Sequence, residues 1–487
     1  MIWQYIIVAI YTLSLGIIFI FSLGQAYLIY SYLKSKRKED VIPILPLEIP
    51  KVTVQLPLYN ELYVVERLIE AVCNLNYPKN CLEIQVLDDS TDNSLMVTKQ
   101  IVEQKRALGF DIVHITRKKN IGFKAGALQH GLELAKGEFI AIFDADFLPE
   151  TNFLQQLIPY FNQSKIGMVQ SRWGHINESY SLLTKVQGFG LDGHFTIEQT
   201  GRNHANLFMN FNGTAGIWRK SCIADAGGWQ HDTLTEDLDL SYRAQLKGWQ
   251  FQYVENVVTP AELPVESNAL RSQQHRWTKG AIETSKKMVK EIWRTDVGIR
   301  KKIFGTLHLM NSYVFIFVLL TSILSLPVLY IKSQGLIPSI YFQLLSVFLL
   351  GFVIVSVFYL VASRSKKEKL GLFTKLFPMF LSVSMALSFH NSIAVLEGLF
   401  GFKSDFIRTP KFNITKSKEN FKGNIYVRRS LSKSFYVELF LSLYFFLGLY
   451  LAFVLQDFAL FPFHLMLFIG FSTLNFYAVK HAIVPET

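Results

Sequence analysis

From Met1 to Leu33 the chain carries no charged residue. That run exceeds the roughly 20 residues an α-helix needs to cross a bilayer. Only a helix or a closed barrel can satisfy its own backbone there. The basic cluster Lys34, Lys36, Arg37 and Lys38 follows the run instead of preceding it. A cleaved leader would have the opposite order and a shorter apolar stretch. Residues 1–33 are therefore expected to be an uncleaved anchor whose C-terminal end is cytoplasmic. A basic and proline-rich linker, 34–50, leads away from it.

The chain turns apolar again after residue 300. Spans are expected near 308–331, 340–362, 434–455 and 459–479. The stretch 372–400 is also apolar but contains Lys375, Pro378, His390, Asn391 and Glu397. Basic residues flank it at 364–369 and again at 403–433. Two cytoplasmic flanks are incompatible with a single crossing, so 372–400 is expected to be interfacial or re-entrant. Composition agrees with a chain partly solvated by lipid: half the residues are hydrophobic, 41 are phenylalanine and only 18% are charged. The net charge of +11 sits beside apolar runs, which reads as an orientation signal and not as a nucleic-acid surface. Cys73, Cys81 and Cys222 form no CxxC pair, which excludes a zinc or disulfide scaffold.

Between the two apolar regions, 51–290 has the composition of a globular domain. Short β-rich runs at 51–56, 82–87, 111–115 and 138–143 alternate with helical patterns at 61–74 and 93–108. That alternation predicts an α/β fold with a mostly parallel sheet covered on both faces.

Four motifs in this region can carry chemistry. Asp88 and Asp89 directly follow the run 82–87, where ligands of open α/β sheets bind; an Asp-rich turn is the plain alternative. Asp144 and Asp146 directly follow the apolar run FIAIF. At spacing i, i+2 in extended chain they face the same way, giving hard oxygen ligands suited to Mg²⁺ or Mn²⁺. In Thr235-Glu236-Asp237 one carboxylate can act as a general base, or the three residues can simply cap a helix. In Gln273-Gln274-His275-Arg276-Trp277, Gln273, Arg276 and Trp277 share one helical face. They offer a planar fork for phosphate and a flat surface for a sugar ring.

Singly these motifs are ambiguous; their order, DD, DxD, TED, QxxRW, is not. The array resembles the processive members of glycosyltransferase family 2, the group of cellulose, chitin and hyaluronan synthases. The segments VQLPLYNE (54–61), QVLDDSTD (85–92), GFKAGAL (122–128), FDADFLPE (143–150), VQSRW (169–173), FNGTAGIWR (211–219), GGW (227–229), TEDLDLSYRAQLKGW (235–249) and QQHRW (273–277) are similar to those of plant cellulose-synthase-like synthases of mannan and xyloglucan backbones, and of their bacterial relatives. The resemblance is dense over about residues 50–290 and loose in the membrane region.

The resemblance implies a glycosyltransferase-A fold joined to a multi-span membrane region, with the catalytic domain cytoplasmic (on the inner membrane if the source is bacterial). It places Tyr59, Glu61, Asp88, Asp89 and Lys124 on the nucleotide-sugar donor. It places Asp144 and Asp146 on Mg²⁺ or Mn²⁺, with Asp146 also beside the donor. Asp237 becomes the general base, with Glu236 beside it. Gln273 and Arg276 contact the pyrophosphate, while Trp277, Asn212 and Gly213 hold the acceptor. Phe406-Ile407-Arg408-Thr409-Pro410-Lys411, within 403–415, resembles the FxVTxK gating loop of bacterial cellulose synthase, with Thr409 and Lys411 reaching the donor. The implied reaction is inverting transfer of a hexose, from UDP-glucose or GDP-mannose, to a growing β-1,4-glucan or mannan. The rival reading is a glycolipid synthase that adds one or two hexoses to diacylglycerol or another lipid acceptor. The chain departs from cellulose synthase in having one apolar run before the catalytic region and no PilZ-like segment. With so few spans, export of a polymer is expected to involve a homodimer or an export partner.

Overall fold

The computed structural model describes residues 2–37, 43, 44, 46, 48–403, 408–415, 419, 424–427 and 430–482. The apolar runs of the globular region become strands β1 (Val52–Leu58), β2 (Leu82–Asp88), β3 (Asp111–Thr116) and β4 (Phe139–Ile142). In β1 and β2 both sets of alternating residues are buried, as expected of a sheet covered on two faces. The polar members of these strands satisfy each other: Thr53 Oγ1 donates to Glu83 Oε2 at 2.6 Å, and Gln55 Nε2 to Gln85 Oε1 at 3.0 Å.

Three more strands complete a seven-stranded sheet in the order β3-β2-β1-β4-β6-β5-β7: β5 (Ile166–His175), β6 (Gly216–Arg219) and β7 (Gln250–Ala261). β6 is antiparallel to both neighbours, β4 and β5, while the remaining pairs are parallel. One apolar cluster, including Val54, Leu56, Leu68, Ile69, Phe143 and Phe153, fills one side of the sheet. Another, including Leu128, Ile140, Ile142, Met168, Phe211 and Trp218, fills the other.

The helix Ser267–Arg294 closes this domain and faces the membrane region. Its start is capped by Glu266, whose carboxylate accepts the backbone N–H groups of Asn268 and Ala269, both at 2.8 Å. A negative cap suits the positive end of a helix dipole.

Among the described residues, six helices are long and apolar enough to cross a membrane: Ile2–Ser35, Asn311–Ser333, Ser339–Ser365, Leu370–Phe400, Lys433–Val454 and Phe461–Ala482. Large apolar side chains such as Ile6, Leu443 and Phe446 are exposed on their outer faces, which is the signature of a lipid-solvated surface. The 372–400 stretch is one continuous 31-residue helix, Leu370–Phe400, containing Pro378. Lys286 Nζ donates to Leu399 O at 2.8 Å and Lys279 Nζ to Phe402 O at 2.6 Å, so its C-terminal end rests on the globular domain. Just before its start, Lys366 Nζ meets Asp192 Oδ2 at 2.6 Å, on the same domain.

Candidate active site

The carboxyl ends of β1, β2 and β4 open into one cleft. β1 delivers Tyr59 and Glu61, β2 delivers Asp89, and β4 delivers Asp144 and Asp146. The chain crosses over between β1 and β4, and such a switch point is where open α/β sheets bind ligands. Lys124, Asn212, Gly213, Glu236 and Asp237 also line it. Gln273, Arg276 and Trp277 come from the 267–294 helix, and Arg408, Thr409 and Lys411 from the segment after the 370–400 helix.

Alternating charge organises the cleft. Lys124 Nζ donates to Asp144 Oδ1 at 2.5 Å and to Gly213 O at 3.0 Å, and it lies 4.0 Å from Glu236 Oε1. Burial alone would lower its proton affinity, but Asp144 and Glu236 more than reverse this and keep it firmly protonated. Asp144 is further fixed by Thr214 Oγ1, which accepts its backbone N–H at 2.9 Å. Lys411 Nζ donates to Asp146 Oδ2 at 2.6 Å. Arg408 Nη1 lies 3.0 Å from Glu61 Oε2. Arg276 Nη2 donates to Thr409 Oγ1 at 3.0 Å, tying the 408–411 segment to the QxxRW helix.

The acidic pair at the helix start behaves differently from an ordinary cap. Thr235 makes no capping bond to the helix Glu236–Leu246; its hydroxyl meets Thr284 Oγ1 at 3.1 Å instead. Asp237 is pushed up to about 7, first by burial and then by the neighbouring Glu236, with Lys124 pulling the other way. Glu236 is also raised, again mainly by burial. Glu61 is pushed up to about 7 by burial, against the pull of Arg408 and Lys411. Two partly buried acids with proton affinity near neutrality, in a cleft, are what acid–base chemistry needs.

Two glycines set the approach of these parts. Gly213 has φ +80°, and a Cβ there would lie 3.0 Å from Asp237 Oδ2 and 3.4 Å from Lys124 Nζ. Gly280 lets the 267–294 helix touch the TED turn: a Cβ there would lie 2.5 Å from Thr235 Cγ2 and 2.9 Å from Thr235 N.

The structure thus gathers the sequence-derived residues into one cleft, with one exception. Asp88, expected on the donor, does not line it. Its Oδ1 accepts the Ser90 N–H at 2.9 Å and its Oδ2 lies 3.0 Å from His114 Nε2. Successive residues at a strand end point to opposite sides; Asp89 takes the cleft side, and Arg117 Nε donates to it at 3.0 Å. Phe406 of the gating-like segment lies outside the described residues. Sequence reasoning missed Arg408 as a partner of Glu61. It also missed Glu262, which accepts from Arg67 Nη2 at 2.7 Å and from the Phe412 N–H at 2.9 Å and so anchors the 408–415 segment.

Asp144 and Asp146 fit a divalent cation by donor chemistry: two hard carboxylates leave one strand end, and each rests on a lysine ammonium in this structure. Among the described residues, three acidic groups converge elsewhere, at Glu178, Asp192 and Glu368. There Lys366 already serves as counter-ion to all three, at 3.4, 2.6 and 3.6 Å.

Comparison with known proteins agrees with this geometry. Residues 50–280 match the model of "Glycosyltransferase like family 2". The chain is 44% identical over 276 residues to a probable glucomannan 4-beta-mannosyltransferase of Oryza sativa subsp. japonica, covering 55% of this chain and 49% of that one. It is 43% identical over 272 residues to a glucomannan 4-beta-mannosyltransferase of Cyamopsis tetragonoloba, covering 55% and 51%. The chain thus spans about half the length of the curated relatives it matches. A mannosyltransferase from Pyrobaculum calidifontis, solved with GDP-Man and Mn²⁺, shares the fold at a TM-score of 0.54 and 19% identity, covering 82% of this chain and 99% of that one. With its motifs in one cleft at the carboxyl edge of a mostly parallel sheet, residues 50–280 are a glycosyltransferase domain of family 2, of glycosyltransferase-A type, in a chain whose described residues include six helices long and apolar enough to cross a membrane.

Proposed function

We propose that this protein transfers mannose from GDP-mannose to the end of a β-1,4-linked polysaccharide, with inversion at the anomeric carbon. The observation that carries the reading is the placement of Asp237. Its partly buried carboxyl, with proton affinity near neutrality, lines the same cleft as the carboxylates of Asp144 and Asp146 and the ring of Trp277. The acceptor hydroxyl gives its proton to Asp237, and its oxygen forms the new bond to the anomeric carbon. The bond from that carbon to the diphosphate oxygen breaks, and its electron pair leaves with the GDP. Asp144 and Asp146 would hold a divalent cation, which would supply charge neutralisation for the diphosphate leaving group. Arg276, Lys411 and Gln273 supply further donors to its oxygens, and Trp277 offers a flat apolar floor for the acceptor sugar. The names of the plant relatives favour mannose, and the ligands of the archaeal neighbour favour GDP as its carrier. The catalytic domain is read as cytoplasmic, where nucleotide sugars are made.

The test is a donor screen on the full chain in nanodiscs with Mg²⁺ or Mn²⁺, reading released nucleotide and product size. GDP-mannose is expected to give a polymer that resists extraction into organic solvent, and Asp237→Asn is expected to abolish it. Polymer from UDP-glucose alone would overturn the choice of sugar. An extractable glycolipid as the sole product would overturn processivity.

A further inference from the structure

The mechanism leaves one buried polar chain unused, and it ends on an acceptor-side residue. Between the helices Leu182–Gly193 and Gln199–His204 the backbone makes a π-helical turn, His194–Glu198, in which Gln199 N donates to His194 O five residues back. Such turns insert one residue and are frequent at functional sites. This one brings His194, Glu198 and Gln199 into a single network. Arg202 donates to Glu198 Oε1 through Nε at 3.0 Å and Nη2 at 2.8 Å. Glu198 Oε2 lies 2.9 Å from His194 Nδ1, and His194 Nε2 lies 3.1 Å from Asn212 Nδ2. Gln199 Nε2 donates to Asn212 Oδ1 at 2.8 Å. Burial alone would favour the acid form of Glu198. Arg202 and His194 more than reverse this and hold it well below the usual carboxylate range.

The directions of these bonds follow from the chemistry. A carboxylate only accepts, so His194 Nδ1 carries a proton, and in the neutral ring Nε2 is then an acceptor. Nε2 therefore takes one N–H of Asn212, while Gln199 supplies a donor to Asn212 Oδ1. The backbone N–H of Asn212 is held as well, by Gln170 Oε1 at 3.1 Å. Asn212 keeps one N–H and one lone pair, and it lines the cleft beside Gly213 and Asp237. With the other histidine tautomer, N–H would face N–H. With the amide turned over, Gln199 Nε2 would face Asn212 Nδ2. Each alternative sets like groups against each other at Asn212, although Gln199 Nε2 keeps Asn210 O and Oδ1, both at 3.2 Å.

We propose that His194 is a positioning residue. It fixes the orientation of the Asn212 amide, and so the donor and acceptor atoms that the incoming sugar meets next to the general base. This rests on the proposed transferase reading, in which Asn212 faces the acceptor.

The full-length protein in nanodiscs, with GDP-mannose, Mn²⁺ and β-1,4-mannotetraose, tests it. Wild-type transfer to mannotetraose examines the underlying reading, and its absence overturns both that reading and this proposal. Given transfer, His194→Phe should raise the KM for mannotetraose about 10-fold, the effect of one lost hydrogen bond in a partly buried site, and leave the KM for GDP-mannose within about twofold. The ratio of GDP released by hydrolysis to mannose transferred should rise by a similar factor. His194→Gln, which keeps an acceptor atom near the Nε2 position, should recover part of the loss. In an Asn212→Ala background His194→Phe should add less than about twofold, because residues acting through one another are non-additive. A rise of both KM values together, or effects that multiply in the double variant, would show a merely structural histidine and overturn the proposal.

Discussion

Asp237 occupies a site that opposes its own ionisation. It is partly buried, it sits next to Glu236, and Lys124 compensates only partly. The folded chain therefore binds this proton more tightly than the unfolded chain does, since an aspartate in water ionises near 4. The sign follows: between the ordinary value and about 7 the folded state holds more protons, so its stability falls as pH rises through that window. Above it the cost is constant. Asp237→Asn removes the charge at nearly constant shape, so it should raise the Tm at pH 8 and do so much less at pH 4. Each 1 kcal/mol relieved corresponds to roughly 2–4 °C for a domain of this size. The same substitution should lower transfer by about 10²–10⁴-fold, the usual worth of a general base. In the wild type, kcat/KM should fall on the acid side of about 7, because the protonated carboxyl cannot accept the hydroxyl proton. Thermal melts and rate profiles on the two proteins check both. A variant that is dead yet no more stable at pH 8 would mean that Asp237 is not strained by burial.

Among the elements, the site depends on how closely the 267–294 helix meets the TED turn, and that closeness is a property of Gly280. A methyl group there cannot avoid Thr235, including its backbone nitrogen. The helix must lift or the turn must shift, and Asp237 shifts with it. Overpacking of this kind costs about 1–3 kcal/mol, and small misplacements of a reacting group can cost as much as 10²-fold in rate. Gly280→Ala should therefore lower kcat by about 10–100-fold while nucleotide binding, measured by calorimetry, stays within a few-fold. Equal losses in both would place the damage in folding and not in alignment. Nothing in the sequence marks Gly280 as special, because its partner lies 45 residues away in the chain. The same limit explains Arg408, Glu262 and His194, whose roles exist only across distant segments. The acidic motifs were legible because they sit at the ends of runs that read as strands. Those runs, β1 to β4, are apolar and bounded by polar turns. β5 and β7 escaped notice for the opposite reason. β5 buries Gln170 and Ser171, which bond to the carbonyls of Thr214 and Ala215. β7 contains Pro260, and its register with β5 slips near Ser171. Buried polar residues and a bulge break the alternation by which a strand is read.

Across the whole molecule, contacts at the helix ends relate the apolar helices to the globular domain. Helix Ile2–Ser35 ends on the globular domain, where Ser31 Oγ donates to Gly201 O at 2.9 Å and Lys36 pairs with Glu255 at 3.1 Å. The Asn311–Ser333 segment starts beside that domain, with Tyr313 OH 3.3 Å from Ser285 Oγ. Its far end, Lys332, pairs at 2.6 Å with Asp457, which lies between the last two helices. Those two helices return to the domain at their other ends: Arg271 meets Glu438 at 2.5 Å, and the Ser267 N–H reaches His481 Nδ1 at 3.1 Å. The Asn311–Ser333, Lys433–Val454 and Phe461–Ala482 helices thus run between a domain side and a far side, whereas the contacts flanking the 370–400 helix, at Lys366 and Phe402, both lie on the domain. We infer that it lies along the membrane interface and makes no net crossing, which also brings the 408–411 segment to the cleft. The prediction is read by maleimide labelling of single cysteines in intact cells, in a background with Cys73, Cys81 and Cys222 replaced. Gln334→Cys and Gln456→Cys should react with a membrane-impermeant reagent from outside. Lys367→Cys and Lys403→Cys, on either flank of the helix, should both react only after permeabilisation. If Lys367→Cys and Lys403→Cys label from opposite sides, the helix crosses, and a globular domain on one side could not hold both of its ends.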